Sequence, residues 1–258
     1  MTAGGLAGRR VVVVGASAGI GRAFAVQAGG AGADVVLAGR RVGALTDAAA
    51  EAGAGTPLAV DVCDAASRDA FTTTVAEGPP VDLVLVCVGV ADLRPLARTD
   101  EDGWTATLAT NLVGVARLVD GLLPALAPTG IVAVLSSESA RLPRTGLVPY
   151  AASKAALEVV LHGLRLEHPG LRVSCAVVGA TQPTEFGAAF AVEDLMPAMA
   201  DWQRRGLFQE EFMATDDVAG LLLGLYATAL RHPGVGVEEI VLRSPSPVLG
   251  TPATEESP

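Results

Sequence analysis

Lysine is almost missing from this chain of 258 residues: of 18 basic side chains only Lys154 is a lysine, and the other 17 are arginines. Histidine and cysteine are nearly as scarce, three of each, and none falls into a ligand spacing such as CxxC or HExxH, so no metal site is expected. Cys63, Cys87 and Cys175 lie far apart in mostly apolar surroundings and read as reduced, buried thiols, which points to the cytoplasm. Long apolar runs are missing too. The longest, residues 218–230, is too short to span a bilayer. Arg9 and Arg10 precede four valines in the manner of an export signal's start, but that run stops at Gly15 without a cleavage-site pattern. Positive charge is in deficit, with a net charge of -10, and the pairs Arg9/Arg10, Arg40/Arg41 and Arg204/Arg205 stand far apart. That balance disfavours nucleic acid and anionic membrane as partners and leaves a small molecule.

What is present is alternation. Short β-branched runs near 10–14, 34–38, 57–60, 81–86, 130–136, 172–178 and 238–242 are separated by Ala/Leu-rich stretches near 20–31, 42–52, 64–77, 102–127, 150–167 and 216–231. This rhythm predicts an α/β fold, a doubly wound parallel sheet of about seven strands with helices on both faces, in a single domain over 1–243. Asp64 and Thr215 are candidate helix caps. Residues 244–258 have linker composition and are expected to be disordered. Residues 184–213 fit neither rhythm. They hold Phe186, Phe190, Phe208, Phe212, Met196, Met199, Met213 and Trp202, and form either a lid over an apolar ligand or short helices packed on the core or a sister subunit.

The first strand runs into "GASAGIG" and then a helix, the setting in which a glycine pattern cradles a dinucleotide. Gly15 permits the tight turn, Gly19 lets backbone approach pyrophosphate, and Gly21 allows close helix packing. The second strand ends in Gly39 where an NAD-preferring site would carry an acid, and Arg40 follows. A guanidinium there can hold the 2′-phosphate of NADP, with Ser17 as a second donor, so NADP(H) is favoured over NAD(H). Asp61, at the end of the third strand, can accept a bond from the adenine amino group, with Val62 against the ring.

Tyr150 and Lys154, four residues apart, share one face of a helix. A cation beside a phenol lowers its pKa towards the range of a general acid/base. Ser137, at a strand's carboxyl end, can donate to a carbonyl oxygen. Arg141 and Arg144 either stand in a solvated loop or meet an anionic substrate group.

Together these residues resemble the short-chain dehydrogenase/reductase family of the compact type, over roughly residues 8–243. The resemblance implies a catalytic tetrad of Asn111, Ser137, Tyr150 and Lys154: Tyr protonates or deprotonates the substrate oxygen, Ser polarises it, Lys holds the nicotinamide ribose, and Asn positions a relay water. It implies cofactor contacts from Gly15, Ser17, Gly19, Ile20, Gly21, Gly89 and Gly179, with Thr184 at the nicotinamide carboxamide. It further implies a homodimer or homotetramer built through the helices near 102–127 and 150–167. The activity implied is hydride transfer between NADP(H) and a carbonyl or secondary alcohol, as in a ketone or 3-oxoacyl-type reductase. A catalytically silent NAD(P)-binding regulator is the alternative, and an epimerase a weaker one. The chain departs from the family's pattern at Val14, where the signature has Thr, and at Val86-Cys87-Val88, where it has Asn-Asn-Ala. Loss of both partners of a buried polar contact can be nearly neutral, so these read as one compensated change.

Overall fold

A computed structural model describes residues 5–53, 55–188 and 190–249. The valine-rich runs form the parallel sheet. Its strands are β1 (Arg10–Val14), β2 (Asp34–Gly39), β3 (Thr56–Ala59), β4 (Val81–Val86), β5 (Leu126–Ser137), β6 (Arg172–Val178) and, after three two-residue strands, β10 (Glu239–Leu242). They lie in the order β10-β6-β5-β4-β1-β2-β3, and every pairing is parallel.

Strand period divides the core into two layers. Val11, Val13, Val35, Leu37, Leu83 and Leu85 face one side, packed with Phe24 of α1 (Gly19–Gly30), Leu45 of α2 (Val42–Glu51) and Tyr226 of α8 (Thr215–Arg231). Val12, Val14, Val36, Val84 and Val86 face the other, against Phe71 of α3 (Ala65–Ala76), Leu118 of α5 (Val115–Leu122) and Leu157 of α6 (Val148–Glu167). Because both faces are covered, the strands are apolar throughout rather than alternating. The strand order reverses between β1 and β4, which opens a crevice beyond their carboxyl ends.

The helix expected over 102–127 is broken into pieces. α4 (Glu101–Leu108), capped by Asp100 accepting from the Gly103 amide, gives way to a π-helical turn at Ala109–Gly114, then α5, and β5 already begins at Leu126. Glu101–Ala125 is, among the described residues, the one helical stretch long and apolar enough to cross a membrane, but Val115, Leu118, Val119 and Leu122 are buried in the core. Asp64 caps α3 as expected, accepting from the amides of Ala66 and Ser67, whereas Thr215 lies inside α8 and caps nothing.

The segment 184–213 contains a single helix, α7 (Val192–Arg204), rather than a pair. Its base is closed by two short ladders: β7 (Thr181–Gln182) with β9 (Met213–Ala214), and β8 (Phe208–Gln209) with β11 (Val248–Leu249). The second ladder corrects the expected tail. Residues 244–249 are tied down by β11 and by Gln209 donating to the Ser244 carbonyl (2.6 Å), while 250–258 lie outside the described residues.

Candidate active site

The crevice begins at the glycine turn. Gly15 and Gly19 adopt positive φ, 89° and 54°. A Cβ on Gly15 would lie 3.0 Å from the Cys87 backbone, and one on Gly21 only 2.3 Å from the Gly15 carbonyl oxygen, so neither position admits a side chain. Ile20 is half-buried against the core. Above the first turn of α1 lies a groove of about 290 Å³ lined by Ser17, Ala18, Gly19, Arg22 and Pro183 to Glu185. Helix N-terminal amides without intrahelical partners and the positive end of the dipole make this end of α1 suited to an anion.

Beyond β2 two arginines stand side by side. Arg40 is exposed and has no hydrogen bond or ion pair among the described residues. Its neighbour Arg41, at the entry to α2, donates to Ser17 Oγ (2.9 Å) and clasps Glu185 through two bonds of 2.6 and 2.7 Å. Gly39 lies beside this contact: a Cβ there would stand 3.9 Å from Ser17 Oγ, in ordinary van der Waals contact. At the end of β3, one carboxylate oxygen of Asp61 accepts from the Cys63 amide (2.9 Å), and Val62 is buried. Cys63 itself is exposed rather than buried, its sulfur 3.2 Å from Thr110 Oγ1.

At the carboxyl ends of the central strands, Asn111, Ser137, Tyr150 and Lys154 are all buried. Asn111 sits in the π turn and grips the Val90 backbone from both sides, accepting from its amide and donating to its carbonyl, each at 2.8 Å. It also donates to Ser153 Oγ, which in turn donates to the Tyr150 carbonyl and so links the π turn to α6. A Cβ on Gly89 would meet Lys154 Nζ at 3.4 Å and Asn111 Oδ1 at 3.9 Å, which sets Gly89 between those two groups. Ser136 donates to Glu158 (2.6 Å) on α6, while Ser137, one residue on, accepts from the Ser139 amide. Gly179 follows β6 with its amide on the Leu242 carbonyl (2.9 Å). Thr184, expected at the nicotinamide end, stands against Gly19, whose Cβ would lie 3.6 Å from its methyl.

Electrostatics here differ from a simple lysine–phenol pair. Burial pushes the Tyr150 phenol up, and hydrogen bonding with Ser137 and the positive charge of Arg144 pull it partly back. Lys154 instead donates to the carbonyls of Leu135 (2.9 Å) and Val88 (3.1 Å); burial lowers it to about 8, opposed in part by the negative charge of Glu158. Arg144 is no solvated loop residue. It is nearly buried, ion-paired with Glu138, and donates to Ser139 Oγ (2.8 Å) and the Leu207 carbonyl (3.1 Å). Arg141 is the exposed one, shared by Glu158 and Glu239. Neither Glu138 nor Arg144 was singled out with the tetrad. Their sequence signal is a pair of opposite charges six residues apart, Glu138 inside the run of Ser136, Ser137 and Ser139 and Arg144 beyond it.

The 184–213 segment closes over Tyr150. The Phe186 ring meets the phenol edge-on, and Phe190 meets Phe186 in the same way at 5.5 Å. Leu93, Leu147, Ala198 and Trp202 complete an apolar cluster around Tyr150, with Trp202 Nε1 donating to the Thr145 carbonyl (2.9 Å).

Residues 9–193 match the family model for short chain dehydrogenases. The chain is 33% identical over 199 residues to glycine betaine reductase ATRR from Emericella nidulans, covering 74% of this chain and 16% of that protein. It is 34% identical over 195 residues to a short chain dehydrogenase from Pseudocercospora fijiensis, covering 72% of this chain and 63% of the relative. The chain thus spans less than two thirds of the length of each. Among solved structures, a 3-oxoacyl (acyl-carrier-protein) reductase from Agrobacterium tumefaciens with NADP bound superimposes with a TM-score of 0.77 at 24% identity, over 93% of this chain and 95% of that one.

Proposed function

The chain belongs to the short chain dehydrogenase family, a family of oxidoreductases, and from that membership we propose that it moves a hydride between NADP(H) and a carbonyl or secondary alcohol carbon. The observation that carries this is the convergence of Asn111, Ser137, Tyr150 and Lys154, all buried, at the strand ends facing a glycine turn that admits no side chain. The residues fit a dinucleotide: the groove above α1 is lined by the glycine turn (Ser17, Ala18, Gly19) together with Arg22 and Pro183 to Glu185, and Gly15 and Gly21, where a Cβ would collide with neighbouring backbone, let that turn pack tightly. Such a cofactor, when bound, supplies or accepts the hydride at C4 of its nicotinamide.

This chain's own groups do the rest. Tyr150 gives a proton to the nascent alkoxide in reduction or takes it in oxidation, and Ser137 donates to the same oxygen. Lys154, charged below about pH 8, holds ribose hydroxyls. Asn111 keeps the loop through Val90 and the start of α6 in register and lies beside Lys154 for a proton relay. Preference for NADP(H) rests on Gly39 in place of an acid and on Arg41 with Ser17, Arg40 being the outer cation. The aromatic cover over Tyr150 favours a bulky, apolar carbonyl compound, of which a 3-oxoacyl-type ketone is one class. Exposed Val113, Val159 and Leu166 favour a homodimer or homotetramer through the π turn and α6. Three free thiols and an acidic surface fit a reducing cytoplasm.

The test is turnover of a panel of ketones and aldehydes, with NADPH and NADH side by side, for the wild type and Tyr150→Phe. Oxidation of NADPH that Tyr150→Phe abolishes, with NADPH binding retained, supports the proposal. Tight NADPH binding without turnover of any panel member would favour the silent regulator instead.

A further inference from the structure

Three consecutive residues at the start of the insert each touch a different part of the crevice. Thr184 lies on Gly19, Glu185 is clasped by Arg41, and Phe186 leans on Tyr150. The middle contact lies where the proposed function needs a cation free. One Arg41 nitrogen serves Ser17 and Glu185 together, so the carboxylate sits on the fork, between the glycine turn and the end of β2, that a ribose 2′-phosphate would use. The pair is mutually charged, each partner shifting the other towards its ionised form.

We propose that Glu185 is a built-in competitor for the cofactor's 2′-phosphate, so that NADP(H) must displace it from Arg41 while NAD(H) binds with the clasp in place. That role presupposes the NADP(H)-dependent activity proposed above. Displacement is physically reasonable because both side chains are about half exposed (50% and 59%), and a surface ion pair of that kind is weak. A phosphate presents more charge and more acceptor oxygens to the same planar fork, with Ser17 Oγ as a further donor. Until it leaves, the Glu185 carboxylate also repels the phosphate. Glu185 therefore sets how strongly the site discriminates between the two dinucleotides, without touching the reacting atoms.

The experiment is calorimetric titration of wild type, Glu185→Gln, Arg41→Ala and Arg40→Ala with NADPH, NADH and 2′,5′-ADP, which carries the phosphate but no nicotinamide. Glu185→Gln should bind NADPH and 2′,5′-ADP roughly 2- to 5-fold more tightly, the span expected for release of a weak surface pair, and leave NADH unchanged. Arg41→Ala should weaken NADPH and 2′,5′-ADP selectively, and Arg40→Ala should weaken them less. If Glu185→Gln leaves NADPH unchanged or weakens it, or tightens NADH equally, Glu185 is no competitor, although the wild-type preference for NADPH would still stand. If the wild type binds NADPH no better than NADH and Arg41→Ala changes neither, the NADP(H) preference itself fails and the competitor role fails with it.

Discussion

The ring of Phe186 meets that of Tyr150 edge-on, centroids 4.9 Å apart and planes inclined by 62°. An aromatic from the insert therefore rests on the proposed acid/base itself. Edge contacts of this kind are worth about 0.5–1.5 kcal/mol beyond the area they bury. Phe186→Ala should leave the fold intact, since the ring is 37% exposed, and should raise KM for bulky ketones by roughly 2- to 10-fold, with small aldehydes hardly affected. Steady-state kinetics on a size-graded series checks this, and an equal change for all substrates would reduce Phe186 to packing.

Val14 and Val86 are paired in register across β1 and β4, and both are fully buried in the same core layer. These are the positions where the family's pattern has Thr and Asn. Placing one polar group there alone buries an unsatisfied donor and acceptor, at a cost of about 1–3 kcal/mol. Val14→Thr and Val86→Asn should each lower stability by that order. The double variant should lose less than the two singles combined, because the new groups can bond one another. Denaturant midpoints decide, and strict additivity would mean the two sites are independent.

Arg144 is the cation that acts on Tyr150 in this structure, and its partner Glu138 directly follows Ser137. Removing the positive charge removes a pull that lowers the phenol's pKa. In Arg144→Gln the phenolate therefore forms at higher pH, and the rising limb of alcohol oxidation should move to higher pH. Glu138 keeps a second cation, Arg243 (3.0 Å), so losing Arg144 should cost less than the roughly 3–5 kcal/mol of a buried charge left without any partner. Glu138→Gln/Arg144→Gln, which removes both charges, should recover part of the stability but not the pH profile. The pH dependence of kcat/KM for both variants separates positioning from folding.

The sheet was legible because its valine runs are bounded by glycine and helical spacing, and β1, β4 and β6 fall where the pattern put them. In the candidate site, rarity marked two positions, Lys154 as the one lysine and Tyr150 as one of two tyrosines, whereas the set of four came from the family resemblance. Asn111 is likewise the one asparagine. What could not be read locally depends on contacts between distant segments. Arg41 and Glu185 are 144 residues apart, so nothing near Arg40 revealed which arginine would be engaged. Residues 244–249 have the composition of a loose tail, yet they acquire order from β8, which no local propensity encodes. The π turn followed the same rule, because it forms where Asn111 grips Val90, across 21 residues.

Lys154 is the one basic position at which this chain does not use arginine, and its pocket gives the reason. The side chain is 3% exposed, its ammonium is held by two carbonyls, and a Cβ on Gly89 would lie 3.4 Å from Nζ. A planar guanidinium carries five donors where the pocket offers two acceptors, and its extra volume would overpack the site by about 1–3 kcal/mol. Lys154→Arg should therefore destabilise the fold by that order and lose at least tenfold in kcat/KM, although the charge is kept. The pH dependence gives a second readout. Burial holds Lys154 at about 8, below its ordinary 10.5, so the folded protein loses this proton first. Wild-type NADPH binding should weaken as pH rises through about 8. Between that point and 10.5 the unfolded chain binds more protons, so Lys154's contribution to stability rises with pH across the window. Arginine stays charged throughout, so in Lys154→Arg both dependences should flatten. Calorimetric binding and thermal unfolding across that pH range test it, and an unchanged pH dependence in the variant would show that another group titrates there.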